Sequence, residues 1–426
     1  MMHFLETLQF VLFVFFTAAY AYQLVYLAVG FLGRGRQGKQ EPAQHRYAAI
    51  IAARNEEAVI GELIGSLKNQ NYPSELLDIY VVADNCTDGT ASCARGAGAI
   101  VYERFNQVQK GKGYAMDYLL KAIWDEHGDV YDGYFVFDAD NIADPNFVSE
   151  MNKMFDGSGY SAITSYRNSR NFCANWISAG YALWFLREAR FLNRPRAQLG
   201  VNCAVSGTGF LVAADAVRED GGWPYHLLTE DIEFSISCTS QGRKIGYCGT
   251  AYIYDEQPTE FSQSWDQRMR WSKGFYQVDA KYTGPLLRGT LCGGRKGFSC
   301  YDMLMTIAPS NLITILALFV GLCICFASFS MPGFVLYRVV RMLLRMLWAT
   351  VKGVSLMLFL YGACTMLAEW RKIDGSAAKK VLYTFTFPLF MLTYVPISLA
   401  ALMQKVEWKP IRHTGMSVKK KERERV

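Results

Sequence analysis

The spacing of apolar and polar positions changes character twice along the chain. No charged residue lies between Glu6 and Arg34, and Phe10 to Leu32 is almost wholly apolar, enough for the ~20 residues with which a helix crosses a bilayer. Ala19-Tyr20-Ala21 has the form of a signal-peptidase site. However, no Lys or Arg opens the run and the apolar stretch continues past it, so residues 1–33 are expected to remain as a transmembrane anchor. From 46 to about 285 the pattern becomes short β-branched runs alternating with helical ones. Tyr47 to Ala53, Asp78 to Ala83, Ala99 to Glu103 and Tyr134 to Phe137 read as strands, and Glu57 to Lys68, Thr90 to Gly96 and Gly113 to Trp124 as helices. This succession predicts an α/β domain over 46–285 with a mainly parallel sheet.

The second change follows a linker or interfacial segment at 286–302. No charge occurs between Asp302 and Arg338, and Met331-Pro332-Gly333 reads as a turn. Three spans are expected in a membrane region over 303–403: 303–329, 346–367 with Lys352, and 381–403 with Pro388 and Pro396. Between them Arg338, Arg341 and Arg345 recur at i, i+3, i+7. That spacing puts them on one face of an amphipathic segment, 334–345, lying in the interface or lining a path for a polar polymer.

Charge adds an orientation. Arg34, Arg36 and Lys39 follow the first apolar run, and Arg371, Lys372, Lys379 and Lys380 follow the third; by the positive-inside rule both groups face the cytoplasm, and so does the 46–285 domain. A multi-pass protein of the cell membrane is expected. A full crossing by 381–403 would place the basic tail, 404–426, outside against the same rule, so that segment is re-entrant or the rule fails there. The tail holds eight Lys/Arg against Glu407, Glu422 and Glu424, a net +5 of the +6 on the whole chain. The body is nearly neutral, which removes nucleic acid as a partner and leaves the lipid bilayer as one. Hydrophobic residues make up 51% of the 426, which excludes a disordered chain. Eleven cysteines and five histidines fall at no metal-ligand spacing.

Candidate chemistry gathers at strand ends, where open α/β sheets bind ligands. Asn55 and Glu56 follow the first strand, Asp84 and Asn85 the second, Asp138 and Asp140 the strand ending at Phe137. No glycine-rich phosphate loop follows a strand. Lys112, between Gly111 and Gly113 at a helix start, is placed to touch a diphosphate. Carboxylates repel a diphosphate unless a divalent cation lies between them, so Asp138-Ala139-Asp140 suggests Mg²⁺ or Mn²⁺ bridging to a nucleotide.

The motifs occur in a fixed order: Ala53-Arg54-Asn55-Glu56-Glu57, Val82-Ala83-Asp84-Asn85-Cys86-Thr87-Asp88, Lys112-Gly113-Tyr114-Ala115, Asp138-Ala139-Asp140, Gly207-Thr208-Gly209, Thr229-Glu230-Asp231 and Gln267-x-x-Arg270-Trp271. Over about 50 to 285 this succession resembles the family 2 glycosyltransferases. Gln-x-x-Arg-Trp with apolar segments after it looks like their processive branch, the cellulose, chitin and hyaluronan synthases. The resemblance implies a GT-A fold, a Rossmann-like mixed sheet with helices, and polymerisation of a UDP-sugar, UDP-glucose favoured, onto a growing β-linked glycan translocated across the membrane. Asn55, Glu56, Asp84, Lys112, Asp138 and Arg270 would hold the UDP-sugar, Asp138 and Asp140 the metal, and Asp231 would be the general base of an inverting transfer. Gly207, Thr208, Gly209, Glu230, Gln267 and Trp271 would meet the acceptor.

Each element also has an ordinary reading. Trp271 serves equally as a core aromatic, Lys112 as a solvated lysine, Gly207-Thr208-Gly209 as a close approach of strands, and Asp231 as an N-cap partner with Thr229 for a helix over Ile232 to Cys238. The opening Ala-Ala-Arg-Asn-Glu departs from the proline-bearing form frequent in the family. The chain ends 23 residues after its last apolar segment, so the large regulatory domain of some cellulose synthases is not expected. A transferase adding one sugar to a lipid is the rival among enzymes. A nucleotide-sugar-binding subunit without turnover, or a transporter, is the rival outside them.

Overall fold

The computed structural model describes residues 17–33, 38–307 and 333–406, with isolated positions at 7, 10, 11, 14, 15, 319, 320, 323 and 326. After a first helix, α1 (Tyr22–Leu32), the chain enters β1 (Tyr47–Ala53), whose apolar and small residues are buried on both faces, as a central parallel strand requires. There follow α2 (Ile60–Lys68), β2 (Leu77–Asp84), α3 (Thr90–Gly96), β3 (Ile100–Arg104), α4 (Lys112–His127) and β4 (Gly133–Asp138). Each lies within three residues of its expected bounds. No strand is expected beyond Phe137, yet the sheet continues: β5 (Ile142–Ala143), α5 (Phe147–Phe155), β6 (Ala162–Ser169), α6 (Trp176–Glu188), a π turn at Ala189–Asn193, α7 (Arg194–Leu199), β7 (Phe210–Ala213), α8 (Ala214–Glu219), α9 (Glu230–Gln241) and β8 (Ile245–Asp255).

The eight strands lie in the order β3-β2-β1-β4-β7-β6-β8-β5. The half from β3 to β4 is parallel throughout, whereas β7 runs antiparallel to both its neighbours and β6 pairs parallel with β8. One face packs Tyr80, Tyr134, Val136 and Tyr166 against α4 and α6; the other packs Ile51, Phe135, Phe137 and Leu211 against α2 and α5. All the parallel strands of the first half end at one edge, and the site is built there.

Beyond the sheet, α10 (Phe261–Leu291) and α11 (Gly294–Ile307) meet at a turn in which Gly293 and Gly294 hold φ of 68° and 60°, a conformation that costs glycine little. The segment 286–302, expected as a linker or interfacial segment, is the end of one helix and most of the next. Of the expected span 303–329, residues 308–318, 321, 322, 324, 325 and 327–329 lie outside the described residues. Then α12 (Gly333–Glu369) runs unbroken through both the expected amphipathic segment 334–345 and the span 346–367. Nothing between Gly333 and Glu369 interrupts helical hydrogen bonding, so the exposed Arg338, Arg341 and Arg345 occupy its first turns instead of a separate element. Finally α13 (Ala377–Leu392) and α14 (Tyr394–Met403) are separated by Thr393, three residues before Pro396, whose missing N–H weakens the ladder there. Leu336–Glu369 and Ala377–Met403 are long and apolar enough to cross a membrane, and Thr17–Leu32 is a shorter apolar helix.

Candidate active site

At the strand ends the chain leaves β1 and β2 through asparagines with positive φ, 58° at Asn55 and 53° at Asn85. Asparagine tolerates this region because its short amide bonds locally. Asn55 Oδ1 accepts from the Thr87 N–H at 2.8 Å, and Asn85 Oδ1 from the Asn106 N–H at 2.9 Å. The Glu56 N–H donates to Thr90 Oγ1 at 2.8 Å, and Glu57 Oε2 accepts from the Gly89 N–H at 2.7 Å. The loops after three adjacent strands are thus laced together. Asp84 belongs to this lacing: its buried Oδ1 accepts from Arg104 Nη1 at 2.6 Å and from Asn85 Nδ2 at 3.1 Å. Arg104 in turn donates to Gln109 O at 2.9 Å. Both of the bonds to Asp84 fall on Oδ1 and neither on Oδ2.

Asp138 closes β4, and its N–H is shared between Thr208 Oγ1 at 2.8 Å and Asn141 Oδ1 at 3.1 Å. The buried Thr208 hydroxyl also donates to Asn141, so Thr208 braces the Asp138 turn and has no hydroxyl proton left for an acceptor. Lys112 Nζ donates to Asp138 Oδ1 at 2.5 Å and to Gly207 O at 2.6 Å, with Glu230 Oε1 at 3.8 Å. Burial works against the Lys112 charge, but Asp138 and Glu230 outweigh it and hold the ammonium above its ordinary range. Gly113 seats this helix start: a Cβ there would run into the Tyr225 carbonyl. Glu56 shows the surplus of negative charge. Burial first, then Asp140 and Asp138, push its carboxyl up to about 9, and its Oε2 is buried without a hydrogen-bond partner. This donor set fits a hard divalent cation. Among the described residues no cluster of three His, Cys, Asp or Glu closes a cage by itself.

The third group of side chains meets at Gly207, whose φ is 75°. A Cβ there would lie 3.5 Å from Arg167 Nη1, 3.8 Å from Asp138 Oδ2 and 4.0 Å from Asp231 Oδ2, so these charged groups surround one backbone position. Asp231 Oδ2 accepts from the Gly207 N–H at 2.6 Å, and the carboxylate stands in the first turn of α9 with Glu230 and Glu233, where the helix dipole favours acids. Burial raises both carboxyls, Glu230 to about 7. Thr229 makes no side-chain cap for this helix, and its Oγ1 is buried without a hydrogen bond. The N-cap reading therefore fails because the Asp231 carboxylate turns to Gly207. Gly209 does answer to packing, since a Cβ would press on Ser165 Oγ at 2.8 Å and Ile253 at 2.9 Å.

Helix α10 carries the last motif. Burial lowers the Arg270 guanidinium, while Glu230, Asp138 and Asp231 act on it in the opposite sense, which identifies them as its charged neighbours. Trp271 is half-buried, edge-to-face with Tyr181 at 5.7 Å and Phe185 at 6.1 Å, so it is at once a core aromatic and a partly open surface. Gln267 Oε1 is buried without a hydrogen-bond partner. On the same stretch Arg268 is fully buried; it donates to Thr393 Oγ1 at 2.6 Å and Phe390 O at 3.1 Å. The pattern of residues did not single out Arg167, Asp255 or Glu188. Arg167 Nε donates to Asp255 at 2.6 Å and its Nη1 to Ser206 O at 3.1 Å, and its guanidinium lies 3.7 Å from the centre of the Phe185 ring. Glu188 accepts from Ser206 Oγ at 3.2 Å.

Several known proteins are similar to this chain. Beta-monoglucosyldiacylglycerol synthase of Synechocystis is 26% identical over 231 residues, 54% of this chain and 47% of that protein. Poly-beta-1,6-N-acetyl-D-glucosamine synthase of Staphylococcus epidermidis is 23% identical over 239 residues, 54% of each. The chain thus spans about half the length of these curated relatives. Among solved structures, a mannosyltransferase from Pyrobaculum calidifontis in complex with GDP-mannose and Mn²⁺ superposes with a TM-score of 0.56 at 17% identity, covering 93% of this chain and 99% of that one. The likeness establishes the GT-A fold that the motif order implied. The model of the family described as glycosyltransferase like family 2 matches residues 44–274, the whole sheet and the helix bearing Gln267, Arg270 and Trp271, and it is to this family that the chain belongs.

Proposed function

We propose that the chain transfers a hexose from a UDP-sugar, UDP-glucose foremost, to a hydroxyl acceptor with inversion at the anomeric carbon. The observation that carries this reading is Asp231, a carboxylate fixed by the Gly207 N–H at 2.6 Å and raised by burial toward the basicity that proton abstraction needs. The acceptor hydroxyl passes its proton to Asp231 while its oxygen bonds to the anomeric carbon from the face opposite the diphosphate. The bond from that carbon to the phosphate oxygen breaks, and its electron pair leaves with UDP. Lys112 and Arg270 face the charge that develops on the leaving group, while Asn55, Glu56 and Asp84 border the nucleoside. Mg²⁺ or Mn²⁺ held by Asp138 and Asp140 would supply Lewis-acid stabilisation of the diphosphate; the Mn²⁺ beside GDP-mannose in the archaeal enzyme supports that part.

For the acceptor, the first reading is a growing β-glycan, extended processively by a multi-pass protein at the cytoplasmic face of the cell membrane and passed outward. It is supported by Trp271, which offers a sugar-stacking face one residue from Arg270, by the orphaned Gln267 amide, and by the name of the staphylococcal relative. Glu230 and Gly207 stand beside the same position. The second reading, one hexose added to a lipid, is favoured by the name of the cyanobacterial relative. Product size at low turnover separates them: long chains beside unused donor support the first, whereas a single sugar on lipid under every condition overturns it. If purified chain with divalent cation consumed none of a panel of UDP-sugars, the transfer itself would have to be given up.

A further inference from the structure

Tyr166 precedes Arg167 on β6 and so points to the other face of the sheet, away from the cleft. A cavity of about 300 Å³ opens there, between β8, the π turn, α7 and the end of α12, at the low end of the ~300–1,000 Å³ usual for ligand pockets. Its charged lining is Arg190, Arg194, Lys372 and Glu369, three cations against one acid. The fully buried Glu369 carboxylate is engaged through Oε2, to which the Tyr166 hydroxyl donates at 2.7 Å, with Lys372 Nζ at 3.2 Å; its Oε1 lies 3.5 Å from Arg190 Nε and accepts no hydrogen bond. Arg194 donates through Nη2 to the Gly33 carbonyl, and among the described residues no carboxylate lies within ion-pair reach of it. The Nε atoms of Arg190 and Arg194 are both buried with no hydrogen-bond acceptor. Burial first and the neighbouring Arg190 second lower the Arg194 guanidinium below its ordinary value, with Glu369 acting in the opposite sense.

The surroundings narrow the ligand. Gly33 closes α1 and Glu369 closes α12, so the cavity lies level with the polar ends of two apolar helices. Beside it the last apolar side chains are bare: Leu32 is 86% exposed and Leu367 72%. A ligand with a small dense anionic group and an apolar body fits both features. We propose that this cavity binds a phosphate group, foremost that of an anionic phospholipid whose acyl chains lie along α1 and α12. The phosphate oxygens accept from Arg190 and Arg194, Lys372 closes the site, and Tyr247 and Tyr252 wall it on the sheet side. The bound lipid fastens the catalytic domain to the membrane surface without touching the reacting atoms, and nothing in this assignment depends on which acceptor the cleft takes.

The full chain in non-ionic detergent, studied by native mass spectrometry with dihexanoyl phosphatidic acid, dihexanoyl phosphatidylcholine and inorganic phosphate, tests it. The expected result is one phosphatidic acid per chain, held about 10-fold more tightly than phosphatidylcholine, with retention falling about 10-fold in Arg190→Gln and in Arg194→Gln, since each loses a charge-assisted hydrogen bond to the phosphate. Inorganic phosphate that competes as well as the lipid assigns the site to a free phosphate; competition only at far higher concentration assigns it to the headgroup. Wild-type protein that retains both lipids equally overturns the proposal with no variant needed, and so does phosphatidic acid retention unchanged in both folded variants.

Discussion

The two halves of the sheet hold their charged groups in opposite ways. On the β3-β2-β1-β4 side the polar groups are bound to one another: Asp84 to Arg104, Glu57 to the Gly89 N–H, Asn55 to Thr87. On the β7-β6-β8 side the acids and cations face a common point at Gly207, and beside α9 and on α10 the buried Thr229 Oγ1 and Gln267 Oε1 have no hydrogen-bond partner. Apart from the unpartnered Glu56 Oε2, the first half is a finished scaffold, and in the proposed function it is the half that meets the nucleoside. The second is unfinished, since buried polar groups without partners are costly and persist mainly where a ligand completes them. Asp138 and Lys112 stand on the border and belong to both.

This contrast can be broken at four places. The largest effect is expected at the border. Chelation should take transfer to background, Mn²⁺ or Mg²⁺ should restore it, and Asp140→Ala should not be restored; undiminished turnover in excess EDTA would remove Asp138 and Asp140 from the reaction. Next, Asp231→Asn keeps an oxygen for the Gly207 N–H but cannot take a proton. The turnover number should fall ~10²- to 10⁴-fold, with UDP still raising the melting temperature as in wild type; near-normal synthesis would disprove the base. In the scaffold half, Arg104→Gln strands a buried carboxylate and should cost about 3–5 kcal/mol of stability. Pairing it with Asp84→Asn should recover part of that in thermal unfolding, and a variant as stable as wild type would show that the lacing does not matter. The smallest effect is expected from Trp271→Ala, which removes ring contacts of about 0.5–1.5 kcal/mol each. Donor binding should survive while products shorten, and unchanged product length would exclude Trp271 from the acceptor path.

The scaffold half was the legible one. Its strands are runs of Ala, Ile, Val and Tyr, its helices follow at regular intervals, and the strand-end Asn55, Asn85 and Asp138 stand where periodicity stops. The other half was recovered only through motif order, because β6 mixes Thr, Ser, Arg and Asn with its apolar residues and β7 has four residues. Arg167 was invisible for the same reason: a lone arginine in a polar-looking run reads as solvated, and only the fold brings Asp255 and Phe185 to it. The span boundaries failed differently. Three arginines on one face suggested an interfacial piece, but a helix ends where its backbone hydrogen bonds end, and α12 meets no such point before Glu369. The anionic-ligand cavity draws on residues near 166, 190, 250 and 370, a separation that no local pattern can join.

The burial of Arg268 has a consequence for how the lipid surroundings reach the chemistry. It stands one residue from Gln267 and two from Arg270, on a stretch of α10 whose other side faces the cleft, and it grips the carbonyl of Phe390 and the hydroxyl of Thr393 where α13 gives way to α14. In a bilayer, the Ala377–Met403 span adjusts to a thicker or thinner hydrocarbon layer by tilting. With a guanidinium clamped at its midpoint break, that tilt pulls on the turn that presents Gln267, Arg270 and Trp271. In the proposed membrane setting hydrophobic thickness becomes a variable of the rate, with Arg268 one link among several, beside Ser272, Lys273 and Tyr276: the same protein should turn over at different speeds in short-chain and long-chain lipids, and Arg268→Leu should weaken that dependence.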